Sequence, residues 1–245
     1  MKRRHIPAVV ILVAVLTGAP PLDARQAPAA AGGAQDVVAG LKQSLQEGQK
    51  LIRQYEWVET TIISLKGEEK ARKQNRCYYG ADGKVQKVAI GEPAAAPQES
   101  GRGGRGGRVR ERVVENKKDE MQEYMAQAVE LVHKYVPPAP AQIQAAKDAG
   151  RVTVQPQAAG RVRLEIAQYL QAGDKLTFDV DTASSRLLGL GVDTYLEKPE
   201  DKVTLAVQMG ALPDGATFAA QTTFEAQAKS ISVVIQNTGH RIVAR

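Results

Sequence analysis

The sequence predicts an α+β fold in which a single antiparallel β-sheet is accompanied by an N-terminal helix and a helical insert. The main observation is an alternation of apolar and polar residues through 160–243, as at Leu164 and Ile166 with charged neighbours. A period of two buries one face of each strand and leaves the other in water, which favours antiparallel pairing. A second strand region covers 55–90, and neither region has enough apolar strands for a core of its own. We therefore expect 55–90 and 151–243 to share one sheet in one domain.

The first 24 residues have the composition of a secretory signal peptide. A basic head at 2–4 precedes an apolar run over 6–19, and small residues follow up to Ala24. The apolar run is shorter than the roughly 20 residues of a membrane-spanning helix, which makes an anchoring helix the weaker alternative. We expect export to the periplasm, cleavage near Ala24 and a disordered lead-in at 25–35. Because Cys77 is the only cysteine and lies far from the cleavage point, no lipid anchor is expected.

The basic character of the chain is local. The formal net charge is +6, but residues 101–118 alone carry seven basic and two acidic side chains, so a general nucleic-acid-binding surface is not indicated. The segment 92–110 is rich in glycine, proline and arginine and is predicted to be a flexible loop. The alternative is contact with an anionic surface such as phospholipid headgroups or lipopolysaccharide. The residues that would make this contact are Arg102, Arg105, Arg108 and Arg110.

The domain proper is expected to begin at residue 36 with a helix that extends to residue 54. Val38, Leu41 and Leu45 recur at helical spacing, and Asp36 is a suitable N-cap. Glycines within this helix each cost about 1 kcal/mol relative to alanine, so the helix needs the sheet to hold it.

Three long strands should follow the helix. Residues 55–65 are rich in aromatic and β-branched side chains, 70–79 form a second strand, and a turn at 81–83 leads into a third strand at 84–90. Trp57, the only tryptophan, is expected to anchor the core of the first strand, with the lining of a ligand cavity as the alternative.

The helical insert is predicted at 116–149. Its first helix runs from Asn116, a candidate N-cap, to Val136, where Pro137 and Pro138 end it, and a shorter helix covers 139–149. The first helix carries an apolar stripe that contains Met121, Tyr124 and Met125. This stripe either seals a packed core or, because methionine adapts to irregular partners, covers an apolar groove as a lid.

No catalytic or metal-binding motif is found in the sequence. His133 and His240 have no partners at metal-ligand spacing, and nucleophile, phosphate-loop and dinucleotide motifs are missing. Cys77 lies in a strand-like segment and is interpreted as a buried bystander thiol. Asp179 and Asp181 share one strand face and are interpreted as solvated residues. We therefore expect no enzyme activity, no cofactor and no bound metal.

Three short motifs and the order of elements point to a known family. The motifs are Tyr55-x-Trp57-x-Glu59-Thr60, Gly80-x-Asp82-Gly83-Lys84 and Leu212-Pro213-Asp214-Gly215-x-x-Phe218. The chain resembles the periplasmic lipoprotein carriers and outer-membrane lipoprotein-sorting proteins of the LolA/LolB type, together with the related envelope-stress regulator. In that superfamily a curved half-barrel sheet encloses an apolar cavity that holds acyl chains, and helices cover its concave face. The resemblance implies such a half-barrel over residues 36–245.

The resemblance implies that the protein carries or senses a lipid or an acylated polypeptide in an apolar cavity. The alternative is a non-enzymatic regulatory or scaffold protein of the cell envelope that binds a protein partner without lipid. The candidate cavity and lid residues are Trp57, Met121, Tyr124, Met125, Leu164, Ile166, Phe178, Val180, Leu205, Phe218 and Phe224.

Overall fold

The computed structural model describes residues 47–91 and 107–243, and it contains a ten-stranded, entirely antiparallel sheet. Within these residues the sheet is accompanied by three α-helices, α1, described over 47–52, α2 (Gly107–His133) and α3 (Pro140–Asp148), and by a short 3-10 helix at Gln227–Lys229. The strands are β1 (Tyr55–Leu65), β2 (Glu68–Tyr79), β3 (Val85–Ala89), β4 (Val152–Gln157), β5 (Arg161–Ala167), β6 (Lys175–Asp181), β7 (Arg186–Tyr195), β8 (Lys202–Ala211), β9 (Thr217–Ala226) and β10 (Ile231–Ile242).

The strand order is β3-β2-β1-β10-β9-β8-β7-β6-β5-β4, so β3 and β4 are the two free edges of an open half-barrel. The first and last strands pair along almost their whole length, with Leu65 opposite Ile231 and Thr61 opposite Ile235. This pairing joins the two strand regions, and the predicted single antiparallel sheet is confirmed.

The helical insert connects the two free edges, because the chain leaves β3 at one edge and re-enters the sheet at β4 on the other. Ala128 and Val132 of α2 pack in a core cluster with Val203, Phe224 and Ile231 from β8, β9 and β10. A second cluster joins the end of the insert to β5, β6 and β7; its buried members are Tyr135, Ala146, Ile166, Tyr169, Leu176 and Val192. The insert therefore covers one face of the sheet, as the predicted fold class requires.

The first helix of the insert is longer than the sequence predicted. It begins at Gly107 rather than at Asn116, and it ends at His133 rather than at Val136. Asn116 is thus an interior helical residue and not a cap. The glycine-rich composition that predicted a loop through 110 ends at Gly107, and the arginine, glutamate and valine residues that follow have no helix breaker among them.

Several predictions fall outside the part of the chain that the structure describes. These are the signal peptide at 1–24, the lead-in at 25–35, the first part of the N-terminal helix, and the loop residues Arg102 and Arg105. Arg108 and Arg110 belong to α2 and not to a loop.

Tyrosine–aspartate hydrogen bonds fasten the elements to the loops between strands. The Tyr124 hydroxyl of α2 donates to Asp201 Oδ1 at 2.5 Å, in the loop between β7 and β8. The Tyr135 hydroxyl, just after α2, donates to Asp174 Oδ2 at 2.5 Å, in the loop between β5 and β6. Both bonds tie the insert to the same end of the sheet, because these two loops connect successive hairpins on that side.

Asp174 is the most completely buried carboxylate in the described chain, at 1% exposed, and its bonding explains why it is tolerated there. It accepts backbone N–H bonds from Tyr169, Leu170 and Gln171 at 2.5, 2.9 and 2.9 Å. The Tyr135 hydroxyl adds a further bond and also lies 2.7 Å from Thr194 Oγ1. A buried charge is stable only when its lone pairs are satisfied in this way.

Removal of the Tyr135 hydroxyl should weaken the attachment of the insert. Tyr135→Phe leaves a buried carboxylate oxygen and Thr194 with one partner fewer, so we expect a loss of about 1–3 kcal/mol in the free energy of unfolding. Tyr195→Phe is the matched control, because its hydroxyl donates to the Ala172 carbonyl at the surface. Urea denaturation of both variants measures the difference; equal losses would show that the Asp174 network is not a stabilising anchor.

The same hydroxyls predict alkaline lability. Burial, reinforced by the neighbouring aspartates, raises the pKa of Tyr124 and of Tyr135 above the usual value. Since the folded pKa is raised, the stability that each hydroxyl contributes is complete below about pH 10 and is lost as the pH rises beyond it. The free energy of unfolding should therefore fall above about pH 10. In the double variant Tyr124→Phe/Tyr135→Phe, the free energy of unfolding should fall less steeply with pH. An unchanged slope would show that these two hydroxyls do not cause the alkaline lability.

Candidate functional site

The N-terminal helix lies very close to the sheet, and a glycine permits the approach. A Cβ built at Gly48 of α1 would stand 2.2 Å from Thr217 Oγ1 and 3.1 Å from the Thr217 backbone nitrogen. This close contact explains why a glycine is present at position 48 despite its cost in helix propensity. Beside this contact α1 packs on Tyr55 and Ala216 through Ile52.

A cavity of about 270 Å³ lies between α1 and the sheet. It is lined from five strands and the helix, and most of its wall is aromatic or aliphatic. The lining residues are Gln49, Ile52, Trp57, Tyr79, Met209, Thr217, Phe218, Ala219, Asn237 and His240.

Four aromatic rings form the centre of this cavity wall. The Trp57 and Tyr79 rings lie 5.7 Å apart at 50°. His240 stacks on Trp57 with centroids 6.0 Å apart and planes at 15°, and it contacts Phe218 with centroids 3.9 Å apart. Rings at these separations make favourable contacts and form a stiff apolar surface.

The orientation of Trp57 is fixed by an asparagine of the neighbouring strand. The indole Nε1–H donates to Asn237 Oδ1 at 3.0 Å, and Asn237 Nδ2 donates to the Ala219 carbonyl at 2.8 Å. The β1–β10 register shifts between Glu56 and Val58, at Trp57 itself, and Gly239 takes a φ of +64° on the opposite strand. The irregularity places the Trp57 and His240 rings against each other.

His240 occupies an environment that disfavours its charged form. Burial lowers the pKa of its imidazole below the usual value, so the ring is neutral at pH 7. The lining of the cavity, within the described residues, includes no carboxylate that could pair with the charged form.

The structure distributes the candidate cavity residues among three places. Trp57 and Phe218 line the cavity beside α1. Met121, Tyr124 and Met125 pack with Leu205 and Phe224 in the cluster under α2. Ile166 and Phe178 belong to the cluster under the end of the insert, and Leu205 contacts both clusters. Leu164 pairs with Phe178, and the fully buried Val180 pairs with Val162.

Three important lining residues were not among the sequence candidates. Tyr79 lies two residues after Cys77 on β2, so the two residues share one face of the strand and Tyr79 could have been predicted from this spacing. Met209 lies beside a bulge between β8 and β9 that sets it opposite Ala219, which simple alternation does not predict. His240 lies within β10, directly after Gly239, and gave no signal in the sequence, because its neighbours come from distant strands.

The other chemically active side chains have structural partners. Cys77 is fully buried, and burial, with Glu59 next, raises the pKa of its thiol, which fits the predicted bystander role. The Glu59 carboxylate pairs with Lys87 Nζ at 2.7 Å. Asp179 forms a two-bond ion pair with Arg163, and Asp181 accepts from the Ser184 backbone and hydroxyl. They are therefore not arranged as a catalytic carboxylate pair.

The described chain contains neither a cluster of metal-binding side chains nor a membrane-spanning helix. Over 47–91 and 107–243, no group of three or more histidine, cysteine, aspartate or glutamate side chains could hold a metal ion. No helix in these ranges is long and apolar enough to cross a membrane.

A wider groove of about 550 Å³ lies over β5–β8. Its floor contains Gly189 and Gly191, and its rim carries Arg161 and the Arg163–Asp179 ion pair. Its lining combines charged and amide side chains with Leu188, Leu190 and Val207 and includes no aromatic residue of the described chain, unlike the cavity beside α1.

Comparison with known proteins identifies likenesses of fold only. No protein-family model matches the chain, and no curated protein matches it. A DUF1329 family protein from Desulfovibrio piger is similar at 14% identity and a TM-score of 0.38, over 84% of this chain and 92% of that one. A LolA superfamily protein from Nitrosomonas europaea is similar at 8% identity and a TM-score of 0.36, over 84% and 94%.

The position of Phe218 in the cavity wall depends on a glycine opposite it. A Cβ built at Gly210 would stand 2.7 Å from Phe218 Cζ, so Gly210→Ala must push the ring aside. We expect a loss of about 1–3 kcal/mol in the free energy of unfolding, as for other overpacked sites. Phe218→Leu introduced together with Gly210→Ala should recover part of this loss, measured as a double-mutant cycle by urea denaturation. Strictly additive effects would show that the strain lies elsewhere.

Proposed function

We propose that this protein is an exported, non-catalytic binding protein of the cell envelope. It holds the apolar part of a lipid or of an acylated polypeptide in the cavity beside α1. The observation that carries the proposal is the aromatic lining of that cavity, formed by Trp57, Tyr79, Phe218 and His240. A concave, mainly apolar pocket with few polar groups is the usual form of a small-molecule site.

The size of the cavity limits its occupant. Its volume of about 270 Å³ exceeds the roughly 150 Å³ of an apolar cavity that binds benzene. It lies just below the range of about 300–1,000 Å³ found for most ligand pockets. One hydrocarbon tail segment or one ring fits this space, whereas several acyl chains at once do not.

Two features of the sequence support a place at the envelope. The composition of residues 1–24 supports export. The basic residues at 102, 105, 108 and 110 support peripheral contact with an anionic membrane surface, from which an apolar ligand could be collected.

A second candidate is a regulatory or scaffold protein that binds a protein partner without lipid, and one observation favours it. The edge strand β3 exposes Val85 and Val88, and Ile90 follows directly beyond it, at 40%, 43% and 44% of their surfaces. An unpaired strand edge with apolar side chains can accept an added strand from another chain.

Trp57 offers a direct test, because it is the only tryptophan in the chain and it lines the cavity. Titration with octanol, an uncharged apolar probe, should change the Trp57 fluorescence in a saturable manner. Ala219→Phe places a ring in the cavity wall and should abolish the change.

Ala89→Phe is the matched control, because Ala89 is exposed on β3 and is not among the lining residues. It should bind octanol as the natural protein does. Absence of saturable binding, or undiminished binding by Ala219→Phe, would contradict the carrier proposal and leave the scaffold candidate.

A further inference from the structure

The polar groups of the cavity differ in what they can still offer to a ligand. Asn237 is already committed, since its amide accepts from Trp57 and donates to the Ala219 carbonyl. Gln49, Tyr79 and Thr217 are neutral near pH 7 and can supply only uncharged hydrogen bonds. His240 is the one lining residue, within the described chain, that can gain a positive charge near neutral pH.

The imidazole of His240 is held by stacking alone. Its ring lies between Trp57 and Phe218, and among the described residues neither ring nitrogen has a hydrogen-bond or ion-pair partner. A stacked ring with both nitrogens available is oriented but unsatisfied, which suits a group that completes its bonding with a ligand.

The charged groups around the cavity are engaged elsewhere. Glu56 pairs with Arg241, Glu59 pairs with Lys87, and Asp214 accepts from the Tyr55 hydroxyl. On α1, Glu47 and Lys50 are exposed and lie outside the lining, and Glu47 has an interaction of its own; Arg53, just beyond α1, is exposed as well. The described lining beside His240 contains no carboxylate, so an anion that entered the cavity would be its natural partner.

We infer that the cavity takes a single-tailed amphiphile with an anionic head group, and that His240 is the residue that selects this head. The inference rests on the proposed function and narrows its ligand class. The tail lies against Trp57, Phe218 and Met209, and the carboxylate or phosphate of the head accepts a hydrogen bond from the His240 ring. Protonation of the ring turns this contact into a charge-assisted bond, which is about twice as strong as a neutral one.

This arrangement gives binding a characteristic dependence on pH. Without ligand the half-buried imidazole is neutral near pH 7, and an anionic head raises its pKa, so binding takes up a proton. Affinity for the anion is therefore highest below the pKa of the free protein and falls as the pH rises towards the pKa of the complex. Because one proton is taken up, the affinity can change by at most about tenfold per pH unit. A neutral amphiphile leaves the imidazolium unpaired in an apolar cavity, so its affinity should stay constant or fall as the pH is lowered.

The test compares octanoate with octanol, which share a tail and differ in charge, by Trp57 fluorescence titration of the full chain at several pH values. Between about pH 8 and pH 6, where the carboxylate stays ionised, octanoate should bind more tightly as the pH falls and octanol should not. Octyl phosphate is the third probe, and tighter binding than that of octanoate would identify a phosphate rather than a carboxylate head.

Variants at His240 separate its charge from its packing. His240→Gln should remove the pH dependence of octanoate binding and weaken it at least about tenfold at pH 6. The preference for octanoate over octanol at pH 6 should fall in this variant, because the loss of ring packing affects both probes and the loss of charge affects only octanoate. His240→Phe keeps an aromatic ring between Trp57 and Phe218 and should show the same loss for octanoate, which guards against a folding defect in the glutamine variant.

The outcomes distinguish this inference from the proposed function. Equal pH dependence for octanoate and octanol, or retained pH dependence in both variants, would overturn the role of His240 while leaving an apolar carrier in place. Failure of both probes to bind the natural protein would overturn the carrier proposal and this inference together.

Discussion

The pairing of β1 with β10 is the constraint on which the rest of this structure depends. It joins the first strand to the last across the whole helical insert and eight intervening strands, so the sheet exists as one unit only when this pair forms. The same pair builds the candidate site, because Trp57 comes from β1 while Asn237 and His240 come from β10. Its register shift beside Trp57 brings two rings together that regular pairing would set on a plain strand surface.

The helices on the sheet have different roles. The insert is fastened by buried clusters and by the Tyr124–Asp201 and Tyr135–Asp174 bonds, and its methionine-bearing face packs against β8 and β9. The described part of α1 approaches the sheet closely at Gly48 and packs on it through Ile52, and the cavity lies beside these contacts. The close packing under the insert and the cavity beside α1 can exist in one sheet, because different side chains form them.

The cavity is small and aromatic, and among its described lining residues His240 alone can gain a positive charge near neutral pH. Its rings are held by stacking and by the Trp57–Asn237 bond, so its shape is set in advance, which would lower the entropy cost of binding a ligand. In the proposed role, such a site would discriminate by the length of an apolar tail and by the charge of a head group. Buried polar contacts discriminate between ligands more strongly than apolar contacts do, because a ligand without the matching group leaves a polar group of the site unsatisfied.

The sequence by itself determined the fold class, most strand positions and the existence of the helical insert, because alternation and turn residues are local signals. It also identified Trp57 and Phe218, whose large apolar side chains point to a core or a cavity in any fold. Local signals failed at the start of α2, because the glycines that precede it are typical of a loop. Only the tertiary structure decided that Tyr79, Met209 and His240 meet beside α1. Their contacts cross bulges and span most of the chain, and the neighbours that bury a side chain and shift its pKa are not encoded in its local sequence.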